Sequence, residues 1–179
     1  MKNENSLLAQ LIESFKILPG IGEKSAQRMA FYLLEKNREG GVNLAKLISS
    51  SMEQIRNCAS CRTLTEEKVC DICSSEKREK SLLCVVENPT DIIAIESSGS
   101  FKGKYFVLMG RLSPIDGITP EDLGIPMLID RIGESEVKEI IIATSPTVEG
   151  DATSFYIRDQ IKDASIIVSR IARDYLLSE

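Results

Sequence analysis

The chain has 179 residues, enough for one domain or two small ones with a proper core. It contains no histidine, which excludes histidine acid–base catalysis, Ser-His-Asp triads and histidine metal ligands. No apolar stretch approaches membrane-spanning length, and residues 1–10 lack the segments of a signal peptide, so we expect a cytoplasmic protein without membrane contact.

Charge is distributed unevenly along the chain. The net charge is −5, yet residues 1–57 contain 8 Lys and Arg against 6 Asp and Glu, a balance of +2. The remainder contains 14 against 21, a balance of −7. Because DNA is a polyanion, any DNA contact is expected in the N-terminal part, whereas the acidic remainder suits a metal ion or a basic protein surface.

Apolar residues recur at helical spacing from about Leu7 to Arg56. A first helix is broken at Leu18–Gly22, and a second is predicted from about Lys24 to Glu35. Gly40-Gly41 is expected to end that second region, and a third amphipathic stretch follows at Leu44–Ile55. Residues 1–56 are therefore expected to form a helical region.

The first break, Leu18-Pro19-Gly20-Ile21-Gly22, has the spacing of a tight hairpin between helices. Gly20 and Gly22 permit positive φ, and the next helix begins with free backbone N–H groups that can bind phosphate. Lys24 and Arg28 lie four residues apart on one helix face and add positive charge. These features predict a helix-hairpin-helix motif that grips the DNA backbone without reading bases, and the alternative is an ordinary turn with a glycine-rich cap.

Four cysteines then follow with the spacing C-x2-C-x8-C-x2-C. Each C-x2-C turn presents two sulfurs, and two such knuckles complete a closed tetrahedral shell that suits a structural Zn²⁺. An iron–sulfur cluster is the alternative for four thiolates, while disulfides need an oxidising compartment and a redox dithiol usually has one C-x-x-C. We expect one zinc ion in a module over residues 57–80, bound by Cys58, Cys61, Cys70 and Cys73.

Beyond residue 80, short apolar runs alternate with helical segments. The apolar runs predict strands at Leu82–Glu87, Tyr105–Met109, Glu139–Thr144 and Ile166–Ile171. The segments between them predict helices at about Pro89–Ser97, Glu121–Ile132 and Glu149–Ile161. This alternation predicts an α/β fold with a doubly wound, mostly parallel sheet and helices on both faces.

Three carboxylates come near the C-terminal ends of the predicted strands. Glu87 ends the first strand, and Glu149 and Asp151 follow the strand at Glu139–Thr144. Because the C-terminal strand ends line the functional crevice of such a sheet, these side chains are expected to meet. They can hold Mg²⁺ for phosphoryl transfer or face a basic partner, or Glu149 and Asp151 merely favour the N-terminus of the next helix.

The order of these motifs resembles the RecR family of bacterial recombination mediators. Besides the cysteine pattern, the matching stretches begin at Leu18 (LPGIGEKSAQRMAF), Cys84 (CVVENPTDIIAIE), Lys104 (KYFVLMGRLSPIDGI) and Glu139 (EIIIATSPTVEGDAT), and they cover essentially the whole chain. The resemblance implies a helix-hairpin-helix region, a zinc module and a Toprim-like domain at residues 81–179. Family members continue past the position of Glu179, so a shortened C-terminus is expected.

That resemblance implies a non-enzymatic role in DNA repair by homologous recombination. RecR-type proteins work with RecO or RecF partners to load the strand-exchange protein onto single-stranded DNA. The resemblance also implies binding to single- and double-stranded DNA without sequence preference, assembly into a dimer or a tetrameric ring, and association with the nucleoid during repair. Carried over by position, the DNA-binding residues are Gly20, Gly22, Lys24 and Arg28, and the partner-binding residues are Glu87, Glu149 and Asp151.

Two other functions remain open on the residues alone. Glu149-Gly150-Asp151 is close to the paired acidic motif of catalytic Toprim domains, so a Mg²⁺-dependent nuclease or primase-like enzyme is the main alternative. A purely structural zinc scaffold is the third, and Lys24 and Arg28 at the hairpin count against it.

Overall fold

Three helices form the first of two units in this computed structural model, which describes residues 6–171. They are α1 (Leu7–Phe15), α2 (Glu23–Lys36) and α3 (Arg38–Gln54). Ser6 caps α1, since its hydroxyl oxygen accepts the N–H of Ala9 at 3.2 Å. The fully buried residues of α2 are Ala26 and Ala30, whose small side chains let neighbouring backbone approach closely. The second unit begins at Ile55.

The junction between α2 and α3 differs from the prediction that Gly40-Gly41 ends a helical region. Helix α3 begins at Arg38 and contains both glycines. The side-chain oxygen of Asn37 accepts the N–H of Gly40 at 2.9 Å, and the backbone carbonyl of Asn37 accepts the N–H of Gly41 at 3.0 Å. A Cβ at Gly40 would collide with the Asn37 side chain, so this glycine permits the cap and does not break the helix.

The second unit opens with a small hairpin. Strands β1 (Arg56–Asn57) and β2 (Leu64–Thr65) pair antiparallel, and a one-turn helix α4 (Asp71–Ser74) follows. Cys58 lies directly after β1 and Cys70 is the N-cap of α4, so each pair of cysteines is held by its own local turn.

A parallel four-stranded sheet follows, in the spatial order β4-β3-β5-β6. Its strands are β3 (Leu82–Val86), β4 (Lys104–Val107), β5 (Glu139–Ala143) and β6 (Ile167–Arg170). The helices between them are α5 (Pro89–Ser97), α6 (Ile125–Gly133) and α7 (Val148–Gln160). The predicted α/β class with a parallel sheet is confirmed.

Alternation along the strands produces a hydrophobic core on each face of the sheet. Val85 packs in the larger core with residues of α6 and α7, whereas Val86 lies in the smaller core with Ile92 of α5. Cys84 belongs to the smaller core, where burial raises the pKa of its thiol to about 12. This fifth cysteine is therefore a core side chain, and the four zinc-module cysteines form a separate cluster.

Helix α6 starts later than the predicted Glu121. Gly124 precedes the helix with φ +66°, and a turn closed by the Asp122 carboxylate, which accepts the N–H of Thr119 at 2.8 Å, occupies the preceding residues. The helical pattern read from Glu121 therefore combined a capped turn with the true helix. Within residues 6–171, every helix is too short or too polar to cross a bilayer.

Candidate functional site

The hairpin between α1 and α2 presents a helix N-terminus at an open surface. Gly22 is the N-cap of α2 and supplies no side-chain cap, and the first helical hydrogen bond joins the N–H of Ala26 to the carbonyl of Gly22 at 3.0 Å. The N–H groups of residues 23–25 thus have no helical acceptor. Gly20 adopts φ +77°, which a side chain would strain, and a Cβ at Gly20 or Gly22 would meet nothing within 4 Å.

Two exposed cations follow this N-terminus on α2. Lys24 and Arg28 are exposed, and within the described part of the chain neither forms an ion pair. Lys16, by contrast, contacts Glu13 at 2.7 Å and Glu23 at 3.4 Å, and the hydrogen bond with Glu13 raises the pKa of Lys16. The hairpin therefore offers backbone donors, open space and two available positive charges, which is the chemistry that binds a phosphate.

The four predicted metal ligands converge in the second unit. The sulfurs of Cys58, Cys61, Cys70 and Cys73 all lie within 4.8 Å of one another, and all four residues are buried. A tetrahedral zinc shell with bonds of about 2.3 Å sets sulfur separations of about 3.8 Å, and the 3.5 Å between the sulfurs of Cys61 and Cys70 is close to that value.

Backbone groups orient the cluster and the thiols perturb one another. The N–H groups of Ser60 and Cys70 point to the sulfur of Cys58 at 3.4 and 3.3 Å. The hydrogen bond between Cys61 and Cys73 lowers the pKa of Cys73 to about 5 and raises that of Cys61. Burial raises the pKa of Cys70 to about 11. A dication removes this competition because it stabilises all four thiolates together.

The zinc module is attached to the open edge of strand β4. The N–H of Val107 donates to the carbonyl of Cys61 at 2.8 Å, and the ammonium of Lys104 donates to the carbonyl of Cys73 at 2.8 Å. The guanidinium of Arg131 bridges the two parts, donating to Ser60 O at 2.9 Å and Tyr105 O at 2.8 Å. These contacts make the module a cover for this sheet edge.

Arg62 makes a second attachment, which the sequence did not reveal. Its backbone has φ +66°, and its guanidinium donates to the carbonyls of Leu108 at 3.2 Å, Asp122 at 3.1 Å and Leu123. The guanidinium also lies 5.8 Å from the centre of the Phe106 ring. The module therefore reaches the loop before α6 as well as the edge strand.

Glu87 directly follows β3, whereas Glu149 and Asp151 lie one loop beyond β5, and the three carboxylates do not form one open cluster. Glu87 is only 6% exposed, and its carboxylate accepts the N–H and the hydroxyl of Ser145, both at 2.8 Å. Glu149 and Asp151 lie in the first turn of α7, whose N-cap is Thr147. Among the described residues, only the four cysteines bring three or more ligand atoms within 4.8 Å of one another.

We call the region around Glu87, Glu149 and Asp151 the acidic corner. An arginine that the sequence analysis did not identify lies in it. Arg170, the last residue of β6, contacts the Asp151 carboxylate at 2.5 Å and donates to the carbonyl of Ser145 at 3.2 Å. Glu87 and Asp151 are thus linked through the Ser145 loop. The available signal was positional, since a charged residue at the end of a buried strand lies at the same sheet edge as the carboxylates.

Gly150 explains how α7 approaches that loop. A Cβ at Gly150 would overlap the Ser145 carbonyl, and the Thr144 hydroxyl donates to the Gly150 carbonyl at 3.0 Å. Close packing therefore explains the glycine of Glu149-Gly150-Asp151, and a catalytic role is not needed to explain it.

Comparisons with known proteins follow the same division of the chain. The RecR helix-hairpin-helix family model matches residues 8–52, the RecR four-cysteine zinc finger domain matches residues 55–75, and the Toprim domain matches residues 81–172. A protein of Saccharophagus degradans named "Recombination protein RecR" is 54% identical over 93% of this chain and 84% of its own length.

The chain belongs to the RecR family. A second relative, "Recombination protein RecR" of Hydrogenovibrio crunogenus, is 49% identical over 95% of this chain and 86% of its own length. Membership of this family decides between zinc and an iron–sulfur cluster at the four cysteines. The zinc-finger match and the convergence of four sulfurs make Zn²⁺ the structural cofactor of this chain, and the expected resemblance is confirmed.

Proposed function

We propose that this chain is a recombination mediator in DNA repair that grips the DNA backbone through the α1–α2 hairpin. The observation that carries the proposal is the uncapped N-terminus of α2, with Lys24 and Arg28 exposed beside it. Backbone amides and flexible cations recognise phosphate and not base edges. We therefore propose binding to single- and double-stranded DNA without sequence preference, at the nucleoid in the cytoplasm.

Fluorescence anisotropy with labelled oligonucleotides tests this interface. Replacing Lys24 and Arg28 with glutamate should weaken binding and reduce the slope of log Kd against log salt by roughly two, one for each lost phosphate contact. The matched control replaces Arg38 and Lys46, two exposed cations of α3, with glutamate, so it makes the same change of charge in the same unit. Equal losses in both double mutants, or unchanged affinity across the salt series, would contradict the assignment.

We further propose that the acidic corner docks a basic surface of a RecO- or RecF-type partner, which helps load the strand-exchange protein. The balance of −7 beyond residue 57 supports an acidic docking surface. Glu149 is half-exposed and is the carboxylate we assign to direct contact. Glu87 and Asp151 are assigned to shaping that surface, because each is already bonded to Ser145 or Arg170.

Partner binding is the readout for the docking surface. Glu149→Lys should abolish binding to the purified partner and leave DNA binding by this chain intact or slightly stronger. Asp159→Lys, an exposed change in the last turn of the same helix, is the control. Loss of partner binding in the control alone would refute the assignment of Glu149.

We also propose that the chain acts without catalysis and as a homo-oligomer, a dimer or a tetrameric ring. The engagement of the Glu87 carboxylate by two donors of Ser145 and the packing role of Gly150 support the non-enzymatic role. Incubating zinc-loaded protein and labelled DNA with Mg²⁺ or Mn²⁺ tests it, since turnover lost in Glu149→Gln would establish a Toprim enzyme instead. Native mass spectrometry measures the oligomeric state and the zinc content together.

A further inference from the structure

Helix α2 carries two adjacent aromatic side chains in solvent. Phe31 is 45% exposed and Tyr32 is 56% exposed, whereas Ala26 and Ala30 are fully buried on the other side of the helix. Aromatic side chains have large apolar surfaces and usually contribute to a core. Two neighbouring rings on a surface are typical of a place where a ligand binds.

The two rings lie on the same side of α2 as the exposed cations. Residues three and four apart are neighbours on a helix surface, so Arg28 is next to both Phe31 and Tyr32, and Lys24 is next to Arg28. Helical side chains point back toward the N-terminus, which directs both rings toward the turn of Arg28. The exposed side of α2 therefore presents an uncapped N-terminus, then two cations and then two aromatic rings.

The cations decide which ligand suits this surface. An apolar protein surface that covered the rings would also bury Lys24 and Arg28, which form no ion pair within residues 6–171, and burying an unpaired charge is costly. Nucleic acid complements the whole surface, because its phosphates attract the cations and its bases offer flat apolar faces to the rings. The surface therefore fits a nucleic acid strand.

The length of this surface favours an unpaired strand. Lys24 and Phe31 are seven residues apart, which is about 10 Å along the helix axis. Phosphates of one strand in a duplex are about 3.4 Å apart along its axis, so the surface spans roughly three nucleotides. Inside a duplex the faces of each base are covered by its stacked neighbours, and only an unpaired base has a face free for a ring.

We propose that Phe31 and Tyr32 form a stacking platform for unpaired bases, through which the α1–α2 hairpin gains affinity for single-stranded DNA that it does not gain for duplex. The phosphates contact the N-terminus of α2 and its cations, and the bases reach the rings. Stacking uses the face of a base and not its edge, so the platform accepts every sequence. The inference rests on the hairpin as the DNA-binding surface, as proposed above.

A second Phe-Tyr pair in the chain has the opposite electrostatic surroundings. Phe155 and Tyr156 lie on α7 and are 68% and 36% exposed. The first turn of α7 contains Glu149 and Asp151, and these carboxylates repel phosphate. The second pair is therefore a matched control, with the same two side chains on an acidic helix.

Fluorescence anisotropy of the zinc-loaded full chain tests the platform with a labelled single strand, the corresponding duplex and a single strand that contains abasic sites. Replacing Phe31 and Tyr32 with leucine keeps apolar side chains and helix propensity but removes the aromatic faces. This variant should bind the single strand at least about fivefold more weakly than wild type and bind the duplex as wild type does. The same replacement at Phe155 and Tyr156 should change neither affinity. Phe31→Tyr combined with Tyr32→Phe keeps both rings and should behave as wild type.

The abasic strand keeps its phosphates and lacks bases, so wild type should bind it about as weakly as the leucine variant binds the intact strand. Equal wild-type affinity for the abasic and intact strands would overturn the proposal, and so would wild-type affinity of the leucine variant for the intact strand. If the leucine variant fails to fold by circular dichroism, the abasic comparison with wild type still decides.

Two further outcomes separate this proposal from its alternatives. Equal losses on single strand and duplex, with a changed oligomeric state in native mass spectrometry, would assign the rings to contact with a second copy of the chain and overturn the platform. Unchanged DNA affinity after replacing Lys24 and Arg28 with glutamate would refute the hairpin itself. Loss of both DNA forms in that variant, beside a leucine variant with wild-type affinities, would refute the platform alone.

Discussion

Arg131 is expected to hold the zinc module against the sheet, and Arg131→Met tests this. Methionine keeps an apolar stem and removes the hydrogen bonds to Ser60 O and Tyr105 O. Tyr105 is fully buried, so water cannot readily replace the lost donor at its carbonyl. A hydrogen bond from a charged donor contributes about 1.5–3 kcal/mol, and the half-exposed Ser60 carbonyl can rehydrate, so we expect a loss of about 2–4 kcal/mol in the free energy of unfolding.

Two local measurements accompany urea unfolding of the zinc-loaded chain. Hydrogen exchange of the Val107 amide should accelerate, because that N–H donates to Cys61 O in the segment that Arg131 anchors. Zinc transfer to a colorimetric chelator should also become faster, since Ser60 lies between the ligands Cys58 and Cys61. Arg158→Met should change stability by less than about 0.5 kcal/mol, as an exposed substitution usually does. An Arg131→Met chain with wild-type stability and an unchanged Val107 amide would refute the reasoning.

Three further outcomes follow from local geometry. Gly22→Ala should fold normally, since φ at Gly22 is negative and the space is open, but its methyl group should crowd the phosphate and weaken DNA binding in the anisotropy assay. Gly20→Ala should lose about 1 kcal/mol of stability in thermal melts, because φ at Gly20 is +77°. Gly150→Ala should destabilise the chain by at least about 2 kcal/mol in urea unfolding, because its Cβ meets the backbone of Ser145, and a wild-type midpoint would contradict this. Cys70→Ser should lower zinc content below one equivalent by metal analysis and loosen the fold, and full retention of both would show that three thiolates suffice.

The parts of the fold set by local sequence were predictable. Helix α5 occupies Pro89–Ser97 as predicted, and a capping box explains its sharp start: the Asn88 N–H donates to the Asp91 carboxylate at 2.7 Å and proline occupies the first turn. The strands were found close to their predicted bounds, since each is a short apolar run of a buried parallel sheet. The cysteine site followed from spacing alone, because each knuckle is a local turn.

Two predicted helix boundaries were wrong because polar side chains hydrogen bond to the backbone near the starts of α3 and α6. Gly40-Gly41 was taken to end a helical region, but the Asn37 side chain caps α3 and the glycines lie in its first turn. The start of α6 was placed too early because the Asp122 turn mimics a helix beginning. Neither hydrogen bond has a signature strong enough to override the periodicity of the surrounding residues.

The contacts that define the acidic corner were beyond sequence reasoning for a different reason. Arg170 and Asp151 are separated in sequence by most of α7, a loop and β6, and their contact exists only because β5 and β6 are parallel neighbours. Parallel pairing brings both C-terminal ends to one edge, so the sequence identified the edge but not the partner of each charge. The prediction of three converging carboxylates omitted Arg170, a cation that the same topology brings to this edge.

At both edges of the sheet, cationic side chains hold neighbouring segments in place. At β4, Arg131 and Lys104 donate to carbonyls of the zinc module. At β6, Arg170 donates to the carbonyl of Ser145 and forms an ion pair with Asp151. A cation with several donors can satisfy acceptors from separate segments at once, which apolar packing cannot do. The zinc ion then contributes to the sheet as well as to its own knuckles, because a module that loosens on metal loss releases the Val107 amide and uncovers the β4 edge.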